Sequence, residues 1–194
     1  MLQFIAQPYD KYSIPEQAQM AIEAGCQWVR LRVNDMPDHE LRELATELVP
    51  LCKEAAIILT IEDRLEMAKE LGIHGVHLRH SSVTPAQARE MLGPEAIVGV
   101  QVTDTAQAEA LRGLDIDYAA FPPEASLEAI TLCASRLQAI GMAMPLVAEG
   151  DFGPIAARHA IDMGASGVAV GKSILEADDP VAAASAIINS LTAA

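Results

Sequence analysis

Short β-like runs alternate with longer segments of helical spacing along the whole chain, and the alternation occurs eight times. The strand-like runs are LQFIA (2–6), WVRLR (28–32), IILTI (57–61), GVHL (75–78), AIVGVQV (96–102), DYAAF (117–121), PLVAEG (145–150) and GVAVG (167–171). Between them lie helical segments such as Pro37–Val49 and Pro154–Met163, and Pro15, Pro37, Pro85, Pro154 and Pro180 sit where a helix tolerates proline at its start. Eight strands and eight helices with no linker between them predict a parallel α/β fold, and eight is the number that closes a barrel. A weak repeat favours closure over an open doubly wound sheet. AGCQWVRL (24–31), LGIHGVHL (71–78), LDIDYAAF (114–121) and MGASGVAV (163–170) each join a helix end to a strand, so the unit is two strands and two helices. The expectation is a compact single-domain (β/α)8 TIM barrel spanning residues 1–194.

Composition narrows the partners. A formal net charge of −14 argues against nucleic acid and an anionic membrane surface, both of which need a positive footprint. No apolar run approaches the length of a membrane span, and the first residues, MLQFIAQPYD, carry no secretory pattern. Cys26, Cys52 and Cys133 are scattered without metal-site spacing, which reads as free buried thiols and a cytoplasmic location. Any anionic small molecule would have to be met by local clusters of positive side chains.

In a barrel of this kind the active site lies at the C-terminal ends of the strands. Those ends carry Arg30 and Arg32 on strand two, Glu62-Asp63-Arg64 on strand three, His77-Leu78-Arg79-His80 on strand four, Glu149-Gly150-Asp151 on strand seven and Gly171-Lys172-Ser173 on strand eight. The last group matches the tail of a P-loop, but the glycine required five positions earlier is Ser166, and Val168-Ala169-Val170 is a buried-strand sequence. The alternative is the phosphate seat that follows strands seven and eight of such barrels. There Gly150 and Gly171 admit close backbone approach, Lys172 adds charge and Ser173 a hydroxyl. Arg30 and Arg32 read either as forks for a diphosphate or as partners of an inward acid such as Glu62 or Asp63. His77 reads equally as a core histidine or a catalytic one, and Asp63 as a possible Mg²⁺ carboxylate. His39, His74 and His159 read as surface residues.

The segments AGCQWVRLR, ILTIEDR, GIHGVHL, LGPEAIVGV and GASGVAVGKSIL, followed by DDP, resemble the thiamine-phosphate synthase family, which includes the thiazole tautomerases. The resemblance implies a small α/β barrel that joins hydroxymethylpyrimidine diphosphate to thiazole phosphate, releasing diphosphate with Mg²⁺. It implies that Arg32 holds the diphosphate, Asp63 the metal, that His77 lines the pocket, and that Gly150 with Gly171, Lys172 and Ser173 seats the thiazole phosphate. The chain departs from the pattern in several places. Arg30 stands for the family's glutamine, Asn34 for its lysine, Glu62 for its asparagine and Ser82 for its second metal aspartate. The loop after strand six is contracted to FPPEASLEA (121–129), and Thr103 stands where the tautomerases carry histidine. Glu62 and Arg30 are the candidates to compensate, as metal carboxylate and as cation. A non-catalytic relative that binds a phosphorylated precursor, and a tautomerase-like isomerase using Glu62 or Glu149 as base, are the competing readings. A homo-oligomer, with a neighbour completing the contracted loop, stays open.

Overall fold

The computed structural model describes residues 1–79 and 83–192. His80 and Ser82, both singled out above, lie outside the described residues. In chain order the elements are β1 (Leu2–Ala6), α1 (Ile14–Glu23), β2 (Trp28–Leu31), α2 (Asp38–Glu54), β3 (Ile58–Glu62) and α3 (Leu65–Leu71). They continue with β4 (Gly75–Leu78), α4 (Pro85–Leu92), β5 (Ile97–Gln101), α5 (Thr105–Ala110), β6 (Tyr118–Phe121) and α6 (Leu127–Ala139). The last are β7 (Leu146–Glu149), α7 (Pro154–Asp162), β8 (Gly167–Val170), α8 (Lys172–Leu175) and α9 (Pro180–Thr192). The strands pair in chain order, every pairing is parallel, and β8 returns to β1, so the expected barrel is closed.

Two details correct the sequence reading. Among the described residues there are nine helices, because the single turn α8 precedes α9; Gly171 leaves the strand and caps that turn. The segment expected to stop at Val49 runs to Glu54 through Pro50, since Leu48 and Cys52 continue the buried face begun by Leu41 and Ala45. Tertiary burial of that face outweighs the lost backbone hydrogen bond at Pro50.

The strand alternation divides the side chains into two sets. Val29, Leu31, Leu59, Ile61 and Val76 face outward into one apolar layer shared with Leu41, Leu48 and Ile130 of the helices. The inward set includes Ile5, Trp28, Tyr118, Ala120, Val147 and Ala169. Large and small residues interlock there. A Cβ added at Gly99 would come within 2.1 Å of the Tyr118 ring, so only glycine leaves room for that ring. Toward the C-terminal end the interior turns polar, with Gln3, Arg30, Thr60, Glu62 and His77 fully buried and Glu149 nearly so. The helix ends that recur in the sequence repeat have a common cause: Gly25, Gly72 and Gly164 all take a positive φ, turning the chain from helix into strand. No described helix is long and apolar enough to cross a membrane.

Candidate active site

Four charged side chains interlock at the top of the barrel. Arg32, one residue past β2, is bound by both oxygens of Glu62 through Nε at 3.1 and 3.0 Å, and its Nη2 reaches Glu62 at 2.9 Å and Glu149 at 2.6 Å. Arg30, one layer below, pairs with Glu149, lies 3.2 Å from Glu62 through Nε without hydrogen-bond alignment, and donates to Gln3 at 3.2 Å. Each guanidinium therefore touches both carboxylates. Burial alone would raise the Glu149 carboxyl, but Arg30 and Arg32, with Arg79 beyond, outweigh it and hold the group below the usual carboxylate range. Burial likewise works to lower the Arg32 guanidinium, while Glu62 and Glu149 prevail and raise it.

His77 lies inside this lattice. Its Nδ1 is 3.0 Å from the Tyr118 hydroxyl, and its Nε2 is buried without a hydrogen-bond partner. Burial first, and then Arg30, Arg32 and Arg79, hold its pKa well below 6.5, so the ring is neutral at physiological pH. Burial pushes the Tyr118 hydroxyl up to about 12.

Two cavities open above the lattice and share Gln7 and Arg32 as common lining. One, of about 220 Å³, is also lined by Glu149, Gly150, Gly171 and Lys172. The other, of about 720 Å³, is lined by Asn34, Asp35, Glu40 and Arg79 as well. An apolar cavity of about 380 Å³, beside Leu137, Met142 and Met144, lies at the other ends of the strands, away from these charges.

Of the residues singled out in the sequence, the structure brings Arg32, Gly150, Gly171 and Lys172 to one cavity. Lys172 is exposed and lies 3.8 Å from Glu176. Ser173 turns its hydroxyl to the Phe152 carbonyl at 3.4 Å. Arg30, Glu62 and His77 are fully buried and line neither cavity. Asp63, with φ at 55°, works as a latch between two strand tails: its N–H donates to the His77 carbonyl at 3.1 Å and its Oδ1 accepts the Arg79 N–H at 2.7 Å.

The sequence reading gave no role to Gln7, Gln17, Arg64 or Arg79. Gln17 is a buried polar residue on the apolar face of α1, and that oddity was its signal. Its amide accepts from the Gln7 N–H at 3.0 Å and donates to the carbonyls of Gln7 at 2.7 Å and Tyr12 at 2.9 Å, holding the shared wall of the cavities. Arg64 straps the loop after β2 through the Asn34 and Met36 carbonyls at 3.0 and 2.9 Å.

Glu62, His77 and Glu149 bring one potential ligand atom each within 4.8 Å of one another. This set does not fit the magnesium that the resemblance implies. Mg²⁺ takes oxygen ligands and retains water, whereas here one donor is an imidazole nitrogen and both carboxylates are already held by guanidinium groups. Asp63 lines neither cavity. The site thus sets Arg32, Arg79 and Lys172 beside two adjoining cavities, together with the exposed acids Asp35, Glu40 and Asp151, while its two buried carboxylates are committed: Glu149 is held ionised between arginines and Glu62 is gripped on both oxygens.

A family model for thiamine monophosphate synthase matches residues 2–174. The thiamine-phosphate synthase of Bacteroides thetaiotaomicron is 32% identical over 200 aligned residues, covering 97% of this chain and 96% of its own. That of Natronomonas pharaonis is 33% identical over 177 residues, covering 87% and 83%. The structure of a thiamine phosphate pyrophosphorylase from Pyrococcus furiosus is similar in fold, with a TM-score of 0.85 at 23% identity over 98% of this chain and 94% of that one. With its closed eight-stranded barrel and its GIHGVHL and GASGVAVGKSIL segments, the chain belongs to the thiamine-phosphate synthase family.

Proposed function

We propose that the protein is a thiamine-phosphate synthase, a transferase that joins hydroxymethylpyrimidine diphosphate to thiazole phosphate and releases diphosphate. One observation carries this reading beyond family membership: Arg32 lines both of two adjoining cavities, one bordered by Gly150, Gly171 and Lys172 and the other by Asn34 and Arg79. Two phosphorylated substrates that must meet at one carbon call for two anion seats with a common wall. The bond between the pyrimidine methylene carbon and the diphosphate oxygen breaks, its electron pair leaving with the oxygen. The lone pair of the thiazole ring nitrogen then forms the new carbon–nitrogen bond.

That nitrogen carries no proton to remove, so no general base is required. The need is for positive charge facing a leaving anion in a site organised beforehand. The arginines supply the charge, and the glutamate lattice fixes the Arg32 fork before substrate arrives. An isomerase, by contrast, needs a carboxylate ready to take a proton, and a group held below the ordinary range is a weak base. Magnesium is assigned to none of the described residues. In this reading Lys172 and the backbone at Gly150 and Gly171 meet the thiazole phosphate.

A second reading, binding of a phosphorylated precursor without turnover, draws on the neutralisation of Arg32 by two carboxylates. Incubating the protein with both precursors and Mg²⁺, and following thiamine phosphate by mass spectrometry, separates the two. Product formation supports the synthase, and saturable binding without product supports the carrier.

A further inference from the structure

We propose that Arg79 contacts substrate, as the second cation that holds the diphosphate of the pyrimidine. The assignment rests on the synthase reading above and extends it to a residue that reading left without a role.

A diphosphate entering a protein of net charge −14 must be met at short range by cations. Arg30 does not meet it, being fully buried and lining neither cavity. Lys172 lines only the smaller cavity, and position 34 offers an asparagine. Among the described residues, Arg32 and Arg79 are the cations that line the larger one, whose volume of about 720 Å³ suits a small heteroaryl diphosphate. The acids on that lining, Asp35 and Glu40, are exposed and screened by water.

The two arginines differ in how far their charge is already neutralised. Arg32 has two carboxylates within 3.1 Å. Among the described residues, the carboxylate that pairs with the Arg79 guanidinium is Glu62 at 3.8 Å, and the Arg79 Nε is held instead by the neutral amide of Gln101 at 2.9 Å. The Arg79 backbone is pinned as well, its N–H donating to Asp63 Oδ1 at 2.7 Å. The side chain is 21% exposed, so it combines a fixed stem with access to the cavity. A fork oriented at Nε presents its remaining N–H groups in a geometry that matches phosphate oxygens. Asp63, at the position that the resemblance links to a metal, fixes the backbone from which the Arg79 side chain springs.

The test uses the full-length chain with Arg79→Gln and Arg79→Met, two substitutions that keep much of the stem, so one can stand in if the other is unstable. Steady-state kinetics with each substrate varied are paired with calorimetric titration of inorganic diphosphate. Loss of a charge-assisted contact predicts a KM for the pyrimidine diphosphate raised on the order of ten- to hundredfold. The KM for thiazole phosphate stays unchanged, and diphosphate affinity falls in parallel. Asn34→Lys added to Arg79→Gln returns a cation to the same cavity and recovers part of the loss. An unchanged diphosphate affinity in folded variants overturns the assignment, as does an equal rise in both KM values with a lowered Tm, the result expected of a purely structural strut. If the wild type makes no thiamine phosphate yet binds diphosphate in an Arg79-dependent way, the synthase reading fails and the anion site stands.

Discussion

Glu149 keeps two guanidinium groups together in the buried barrel interior, accepting from Arg30 on one oxygen and from Arg32 on the other. Removing its charge while keeping its shape would leave both cations to share Glu62, and a buried ion pair broken on one side is costly. For Glu149→Gln we expect a loss of about 3–5 kcal/mol, read as a Tm lower by roughly 6–20 °C in a domain of this size. An unchanged Tm in thermal denaturation would show that the lattice contributes nothing to stability. Both arginines and both acids were visible at strand ends in the sequence, and an inward acid as arginine partner was an open alternative there. That Glu149 is this partner was not legible, because it lies 119 positions from Arg30 and 117 from Arg32. Only ring closure brings strands two and seven to face each other. His77 illustrates the same limit: at a strand end it read equally as a core or a catalytic histidine, and its depth below the cavities depends on register.

At the scale of elements, the cavity walls are set by loops that side chains strap from behind. The connection from β1 to α1 has no strand or helix of its own, and Gln17 supplies backbone partners to both groups of Gln7. Gln17→Leu keeps the volume and deletes three hydrogen bonds around buried groups, so we expect a loss of roughly 2–4 kcal/mol. Because Gln7 lines both cavities, KM for both substrates should rise. Urea unfolding together with kinetics checks this, and a stability loss with both KM values unchanged would remove Gln17 from any positioning role. The helix starts were well marked by proline, since Pro15, Pro85 and Pro154 fall in the first turn of α1, α4 and α7, and the structure adds capping boxes at Ser13–Glu16 and Thr84–Gln87. The turn α8 was hidden because four residues are too few to show a helical period.

For the whole molecule, acidification should weaken the fold in two stages. Native His77 resists protonation that the unfolded chain accepts below about pH 6.5, so stability falls as pH drops below that value. Glu149 is held below its ordinary value near 4.5, so the stability it adds is complete above that pH and is lost as pH falls through the native pKa. The exposed carboxyls Glu16 and Glu70, lowered by Ser13 and Arg42 respectively, act in the same acid window. Calorimetric Tm values measured from pH 8 to pH 3.5 should therefore decline from the first window onward. In His77→Gln the decline should start only in the second, and an identical onset in both proteins would rule out His77 as its source.

The sequence by itself determined the architecture, because strand and helix periods are local properties and eight alternating units with inward-facing polar tails leave few ways to bury their apolar faces. It also gathered the charged residues at one end of the barrel, and its motifs pointed to the family. Tertiary structure alone decided which charges meet and which are accessible: Arg30 sank into the core, Arg32 came to border two cavities, and Arg79 rather than Arg30 reached the larger one. Such pairings depend on the stagger between strands far apart in the chain. A shift of one residue along a strand would turn each of these side chains to the opposite face of the sheet.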